Sequence, residues 1–166
     1  MPANLFLEKL MNDYGDEIFR MCYLYLKDYQ LAEDATQETF IKAMRSYEAF
    51  ENRSSEKTWL IRIAINNCKN IMRTGWFRIR RNTLSSHQEK ESKNQIEELV
   101  EKDTISSAIM KLKLEDRKMI ILYYYQELSL KDIASIMGIS TNTANQRLSR
   151  ARKKLKMILE DYNDEI

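Results

Sequence analysis

Ser129-Leu130-Lys131-Asp132-Ile133-Ala134-Ser135-Ile136-Met137-Gly138-Ile139-Ser140 carries the sharpest local pattern in the chain. Ser129 with Asp132 three residues on is a capping-box pattern, Asp standing where Glu or Gln is usual. Ile133, Ile136 and Met137 give one apolar stripe. Ala134 is small enough for a second helix to cross closely. Gly138 can supply the positive φ of a tight turn, and Ile139 plugs that turn. Ser140 or Thr141 then caps a second helix, with Ala144, Leu148, Ala151, Leu155 and Ile158 on its apolar side. Helix, glycine turn and second helix in this order are helix-turn-helix grammar. The other face of the second helix carries Asn142, Asn145, Gln146, Ser149, Arg150 and Lys153. Asn, Gln and Arg can each pair two atoms at once with an adenine or guanine edge. In such a motif the early residues of the helix face bases and later basic ones reach phosphates.

The rest of the chain agrees with a helical reading. Three Gly and one Pro in 166 residues fall far below the eleven and eight or so of average usage. Strand-rich folds spend both residues on turns, so long helices with few turns are expected. One His and two Cys argue against most zinc sites, which want four such ligands, and against a disulfide-stapled fold. No apolar run approaches the roughly 20 residues of a spanning helix. Met1-Pro2-Ala3-Asn4-Leu5 shows no basic segment leading into an apolar one, so no signal peptide is expected. The expected setting is the reducing cytoplasm, without membrane insertion.

Upstream, Leu7, Leu10, Tyr14, Ile18, Met21 or Cys22, and Tyr25 recur at three- and four-residue steps, predicting an amphipathic helix. Asp28 can cap a second, carrying Leu31, Ala35, Phe40, Ile41 and Met44. Glu51 to Glu56 read as a loop. A third pattern runs from Lys57 through Trp59, Leu60, Ile63, Ala64, Asn67 and Ile71, with Gly75 as a candidate C-cap. Residues 76–103 are mostly polar with weak periodicity and read as a linker. Helical pattern resumes at Ile105, Ile109, Leu112 and Leu114 and continues through Met119, Ile120, Leu122 and Tyr123. The expected fold is all-α: a helical domain over 1–75, a linker over 76–103, and a helix-turn-helix domain over 104–166.

Net charge is only +2, but the charges come in blocks. Residues 57–88 hold seven bases and no acid, and residues 133–159 hold six bases and no acid. Each lies beside an acidic segment. Two acid-free basic blocks point to two polyanion-binding faces. The third helix supplies one of them, with Arg62, Asn66, Asn67, Lys69, Asn70 and Arg73 following Trp59. Asn66 and Asn70 are four apart and share a face. Asn is a poor helix former, and a basic, Asn-rich face with aromatics nearby suits unstacked bases and phosphate.

Three segments together resemble the extracytoplasmic-function, or group four, sigma factors of bacterial RNA polymerase. Ala32-Glu33-Asp34-Ala35-Thr36-Gln37-Glu38-Thr39-Phe40 is similar to the family's acidic segment. Trp59-Leu60-Ile61-Arg62-Ile63-Ala64-Ile65-Asn66 is similar to its "WLxRIAxN" segment. Leu128 to Ile139, with Thr143, Arg147-Leu148 and Arg150-Ala151-Arg152, is similar to its helix-turn-helix. The resemblance covers nearly the whole chain. It departs at Thr143-Ala144-Asn145-Gln146-Arg147, where the family commonly has "TV[KR]SR", so the preferred −35 sequence is left open.

The resemblance implies a subunit that binds core RNA polymerase and directs promoter recognition, melting and initiation. It implies docking on the β′ clamp helices through Asp34, Gln37 and Glu38, with the second domain on the β flap. It implies reading of the −10 element by Trp59, Arg62, Asn66, Lys69, Asn70 and Arg73, with a flipped base held beside the Phe50–Lys57 loop. It implies reading of the −35 duplex by Thr143, Asn145, Gln146, Ser149 and Arg150, with Arg147, Arg152 and Lys153 on phosphates. The basic stretch Trp76 to Arg81 would begin a linker threading the polymerase cleft. An anti-sigma factor, often membrane-embedded, is the implied regulator. No catalytic residue, metal or cofactor is expected: His87 is the lone His, and Cys22 and Cys68 fall on apolar patterns. Two other readings stay open, an autonomous helix-turn-helix regulator and a helical adaptor that binds only proteins.

Overall fold

The computed structural model describes residues 2–75 and 103–164. The chain divides into two compact units, Met1–Lys90 and Glu91–Ile166. All regular structure among the described residues is helical. The expected linker, with the Trp76–Arg81 stretch, lies outside the described residues except for Asp103.

In the first unit α1 (Ala3–Leu26), α2 (Tyr29–Arg45) and α3 (Glu56–Arg73) pack on one another. The α1–α2 corner takes only two residues. Lys27 turns left-handed at φ 57° and closes α1. Asp28 then caps α2, its Oδ1 accepting the Leu31 N–H at 2.9 Å. A 3₁₀ turn (Tyr47–Ala49) and the loop to Ser55 lead into α3. The Ser55 hydroxyl accepts the Thr58 N–H at 3.1 Å. Leu10, Ile18, Met21, Leu24, Leu60, Ile61 and Ile65 are fully buried, each worth about 1.5–3 kcal/mol relative to exposure. Two local expectations shift. Ile41 is 37% exposed rather than core, because α2 buries the Ala32, Ala35, Thr39, Phe40, Ala43 side and turns Ile41 outward. Gly75 has no left-handed φ. The helix instead stops at extended Thr74, whose hydroxyl donates to the Ile71 carbonyl at 2.7 Å.

Cys22 and Cys68 are both fully buried and free, on α1 and α3. A hydrogen bond between the two thiols, with burial added, raises the Cys68 pKa well above its usual value. A raised thiol pKa in the fold stabilises it below the unfolded pKa. That contribution is lost as pH rises through the folded value, so this thiol pair weakens the unit in alkali. The expected result is that a thiol reagent labels neither cysteine at neutral pH until denaturant opens the domain. Labelling of the native protein as fast as of the unfolded chain would contradict the packing.

The second unit runs α4 (Thr104–Lys111), α5 (Leu114–Ile120), a π-helical turn (Ile121–Tyr125), α6 (Leu130–Met137) and α7 (Thr141–Asp164). Asp103 caps α4, accepting from Ser106 N–H at 3.2 Å and from the Ser106 hydroxyl at 2.5 Å. The Ser106 hydroxyl leads the bonds that lower the Asp103 pKa. The 129–140 stretch folds as its residues predict. The Ser129 hydroxyl accepts the Asp132 N–H at 3.1 Å. Gly138 sits at φ 67°, and the Ile139 and Gly138 N–H groups donate back to the Ala134 and Ser135 carbonyls at 3.0 and 3.4 Å. That pair of bonds is a Schellman close. Ser140 rather than Thr141 caps α7, accepting the Thr143 N–H at 3.0 Å. Ala144, Leu148 and Ala151 are buried, while Leu155 and Ile158 are half-buried. A Cβ on Gly138 would meet open space, so Gly138→Ala is expected to cost only the left-handed strain, about 1–2 kcal/mol. Thermal unfolding of that unit checks this, and an unchanged melting temperature would refute it.

Candidate nucleic-acid interface

α3 has two unlike sides. Its inner side buries Leu60, Ile61, Ala64, Ile65 and Cys68. Its outer side carries Arg62, Asn66, Asn70 and Arg73, all exposed and spaced to form one stripe. Lys69 flanks it, half-buried. Asn67 does not belong to this polar face: it is 3% exposed. Its Oδ1 accepts from Lys42 Nζ at 2.6 Å, and its Nδ2 donates to Thr39 Oγ1 at 3.0 Å.

Trp59 sits apart from the stripe, half-buried at the start of α3. Its ring stacks on Phe50 at 4.6 Å and 29°, and lies 6.3 Å from Phe6, which packs on Tyr47 at 4.3 Å. Three of these aromatics, Phe6, Tyr47 and Phe50, give apolar walls to a cavity of about 510 Å³, and Lys9, Asn52 and Glu56 give polar ones. Lys9 Nζ lies 3.5 Å from Glu56 Oε1, and Asn52 is held left-handed at φ 53°. Aromatic walls with a few convergent polar groups suit a stacked base. Phe50, Asn52 and Glu56 lie in the Phe50–Lys57 segment. Phe6, Lys9 and Tyr47 are lining residues that the sequence did not single out. Tyr47 stands near that loop and could have been suspected, but Phe6 and Lys9 come from α1, more than forty positions away.

On α2, Asp34 and Gln37 are exposed and Glu38 is half-buried. At i, i+3 and i+4 they share one side. Glu38 Oε1 is 4.0 Å from Lys42 Nζ, a loose surface pairing.

On α7, Asn145, Gln146, Ser149, Arg150 and Lys153 are exposed. Thr143 is half-buried, its hydroxyl accepting from Ser140 at 2.8 Å. Two expected phosphate contacts are engaged within the domain. Arg147 Nη1 lies 3.8 Å from Glu115. Arg152 Nε donates to Tyr124 Oη at 2.5 Å, and its guanidinium lies 5.2 and 5.5 Å from the Tyr123 and Tyr124 ring centres. Lys154 pairs with Asp116 at 2.7 Å. The basic block therefore splits. Arg150 and Lys153 stay on the open side with the amide residues, while Arg147, Arg152 and Lys154 turn to carboxylates and tyrosines of their own domain. The same unit holds an apolar cavity of about 720 Å³, lined chiefly by Ile105, Ile109, Ile120, Tyr124, Leu155 and Leu159. Ile105 is 53% exposed there, although its periodicity reads as core.

Known proteins match both units. The family described as sigma-70 region 2 matches residues 10–78, and sigma-70 region 4 matches residues 102–155. The RNA polymerase sigma factor YlaC of Bacillus subtilis (strain 168) is 31% identical over 155 residues, covering 90% of each chain. The ECF RNA polymerase sigma factor SigW of the same organism is 29% identical over 171 residues, covering 92% of this chain and 88% of that one. Among solved structures, the sigma factor RpoE of Bartonella quintana, in complex with the anti-sigma factor NepR, is 24% identical with a TM-score of 0.69. That similarity covers 93% of this chain and 96% of that one, and it speaks for the fold.

Proposed function

The chain belongs to the sigma-70 family, as an extracytoplasmic-function sigma factor that directs transcription initiation, and we propose how its exposed faces divide that work. The observation that carries the proposal is the outward stripe of Arg62, Asn66, Asn70 and Arg73 on α3 beside an aromatic-walled cavity. This face takes the melted non-template strand at −10. The cations meet phosphate, and the cavity receives one flipped base. Flipping costs a few kcal/mol, which stacking and edge contacts offset. Trp59 supports the aromatic wall from behind through its stack on Phe50, and Lys69 flanks the strand.

α7 enters the major groove at −35. Asn145, Gln146, Ser149 and Arg150 face base edges, with Thr143 at the helix start, and Lys153 meets phosphate. Arg147 and Arg152 reach phosphate only after giving up Glu115 and Tyr124. Asp34, Gln37 and Glu38 dock on the β′ clamp helices, and the apolar cavity beside α7 receives the β flap. Core polymerase supplies the chemistry, so the protein's own part is binding and strand separation, with no catalytic residue or cofactor assigned. The working place is the cytoplasm, where the polymerase is. An anti-sigma factor covers the docking faces when the protein is idle. The RpoE–NepR pairing named above supports that regulator by analogy.

Affinity for purified core polymerase tests the docking assignment. The double replacement Asp34→Lys and Glu38→Lys is expected to weaken it at least tenfold, because like charge across an interface costs several kcal/mol. Unchanged affinity would remove α2 from the interface. An autonomous regulator would instead bind its duplex tightly and specifically in a gel shift without polymerase.

A further inference from the structure

The inner side of α3 is largely apolar: buried Thr58 bonds to the Ser55 cap of its own helix, and Cys68 to Cys22 on α1. Leu60, Ile61, Ala64 and Ile65 pack without directional bonds, and such packing holds a helix close without fixing its rotation. Asn67 ties α3 to α2. Its amide spans two α2 side chains, the Lys42 ammonium at 2.6 Å and the Thr39 hydroxyl at 3.0 Å. Thr39 is fully buried, and its hydroxyl proton goes to the Ala35 carbonyl at 2.6 Å. The Thr39 oxygen must therefore accept from Asn67, and only one orientation of the amide satisfies both partners. Hydrogen bonds to a charged donor are about twice as strong as neutral ones. A buried polar group of this kind can fix register where apolar packing leaves it loose.

We propose that Asn67 is a positioning residue for −10 recognition: its clamp on α2 sets the rotation of α3 and so aims Asn66 and Asn70. The inference rests on the −10 assignment made above. At 3.6 residues per turn, Asn66 and Asn70 lie about 100° and 60° round the axis from Asn67, on the same side. A rotation of about 20° moves a side-chain tip some 6 Å from the axis by about 2 Å, enough to break a hydrogen bond. The clamp also joins the two working faces. Lys42 lies between Asn67 and Glu38, so the helix that docks on polymerase is the one against which the DNA-reading helix is indexed.

Base selectivity in the reconstituted holoenzyme tests this. Run-off transcription is measured on templates carrying each base in turn at the −10 positions, and core affinity is measured in parallel. The variants are Asn67→Leu and the double Thr39→Val with Asn67→Leu. The double replaces both neutral partners by apolar groups of similar shape, a change that can be nearly neutral for stability. Lys42 is 42% exposed along its side chain and can turn its ammonium to water. The expected result is a fall of about tenfold in the ratio between best and worst −10 base, with core affinity within about twofold of native. A ratio within about twofold of native in a variant that still binds core would overturn the proposal. Loss of core binding by both variants would overturn it too, because the clamp would then hold the domain together rather than aim α3. Failure of the −10 assignment shows separately, as unaltered selectivity when Asn66 and Asn70 themselves are replaced.

Discussion

Replacing Asn66 and Asn70 together by alanine is expected to lower protein-dependent transcription about a hundredfold and leave core affinity within about twofold. Two side chains that each contribute about 1–3 kcal/mol of base or backbone contact account for that factor. Both are exposed on the outer stripe of α3 and touch none of its inner packing. Ala is a better helix former than Asn, so the variant should melt no lower than the native protein. Lost activity in a protein of equal or greater stability cannot be put down to misfolding. Open-complex formation, followed by the reactivity of unpaired −10 thymines, should fall in step. Full activity of the double variant would place the −10 contacts elsewhere.

Charge reversal at Arg150 is expected to be the next largest effect, about thirtyfold on a promoter that needs its −35 element. Arg150 is exposed among Asn145, Gln146 and Ser149. Reversal removes a favourable contact and sets a carboxylate against the phosphates. The cost should shrink on a promoter whose −10 element alone suffices, which distinguishes a −35 defect from a general one. Arg147→Ala and Arg152→Ala should cost less in DNA binding, since Glu115 and the Tyr123–Tyr124 pair already engage those side chains. Arg152→Ala should show instead as lost stability, by about 1 kcal/mol for its ring contacts and hydrogen bond. Equal transcription losses at Arg147, Arg150 and Arg152 would contradict the division of the basic block.

The parts of this structure that were legible in the sequence are those fixed by local chemistry. Ser129, Gly138 and Ser140 cap or close their helices through bonds within five residues, and Asp28 does the same at α2. Spacing alone set the shared faces of Asn66 with Asn70 and of Asn145 with Ser149. What depended on distant neighbours was not legible. Ile105 belongs to an apolar helical pattern, yet more than half of it is open because it rims a cavity. Arg147 and Arg152 read as two more cations in a basic run, because their partners on α5 and the π-helical turn lie about thirty positions upstream. Asn67 looks like its neighbours Asn66 and Asn70 in composition, and only Thr39 and Lys42 across the α2 interface give it a different task. Gly75 shows the opposite failure. Local chemistry suggested a glycine cap, and Thr74 ended the helix first.

Promoter-directed initiation is checked by run-off transcription with core bacterial RNA polymerase on fragmented genomic DNA, with and without this protein. The expected result is a set of protein-dependent start sites sharing two motifs at fixed spacing, one at −35 and one at −10. Folded protein and active core that together yield no protein-dependent transcript would rule out a sigma-factor role.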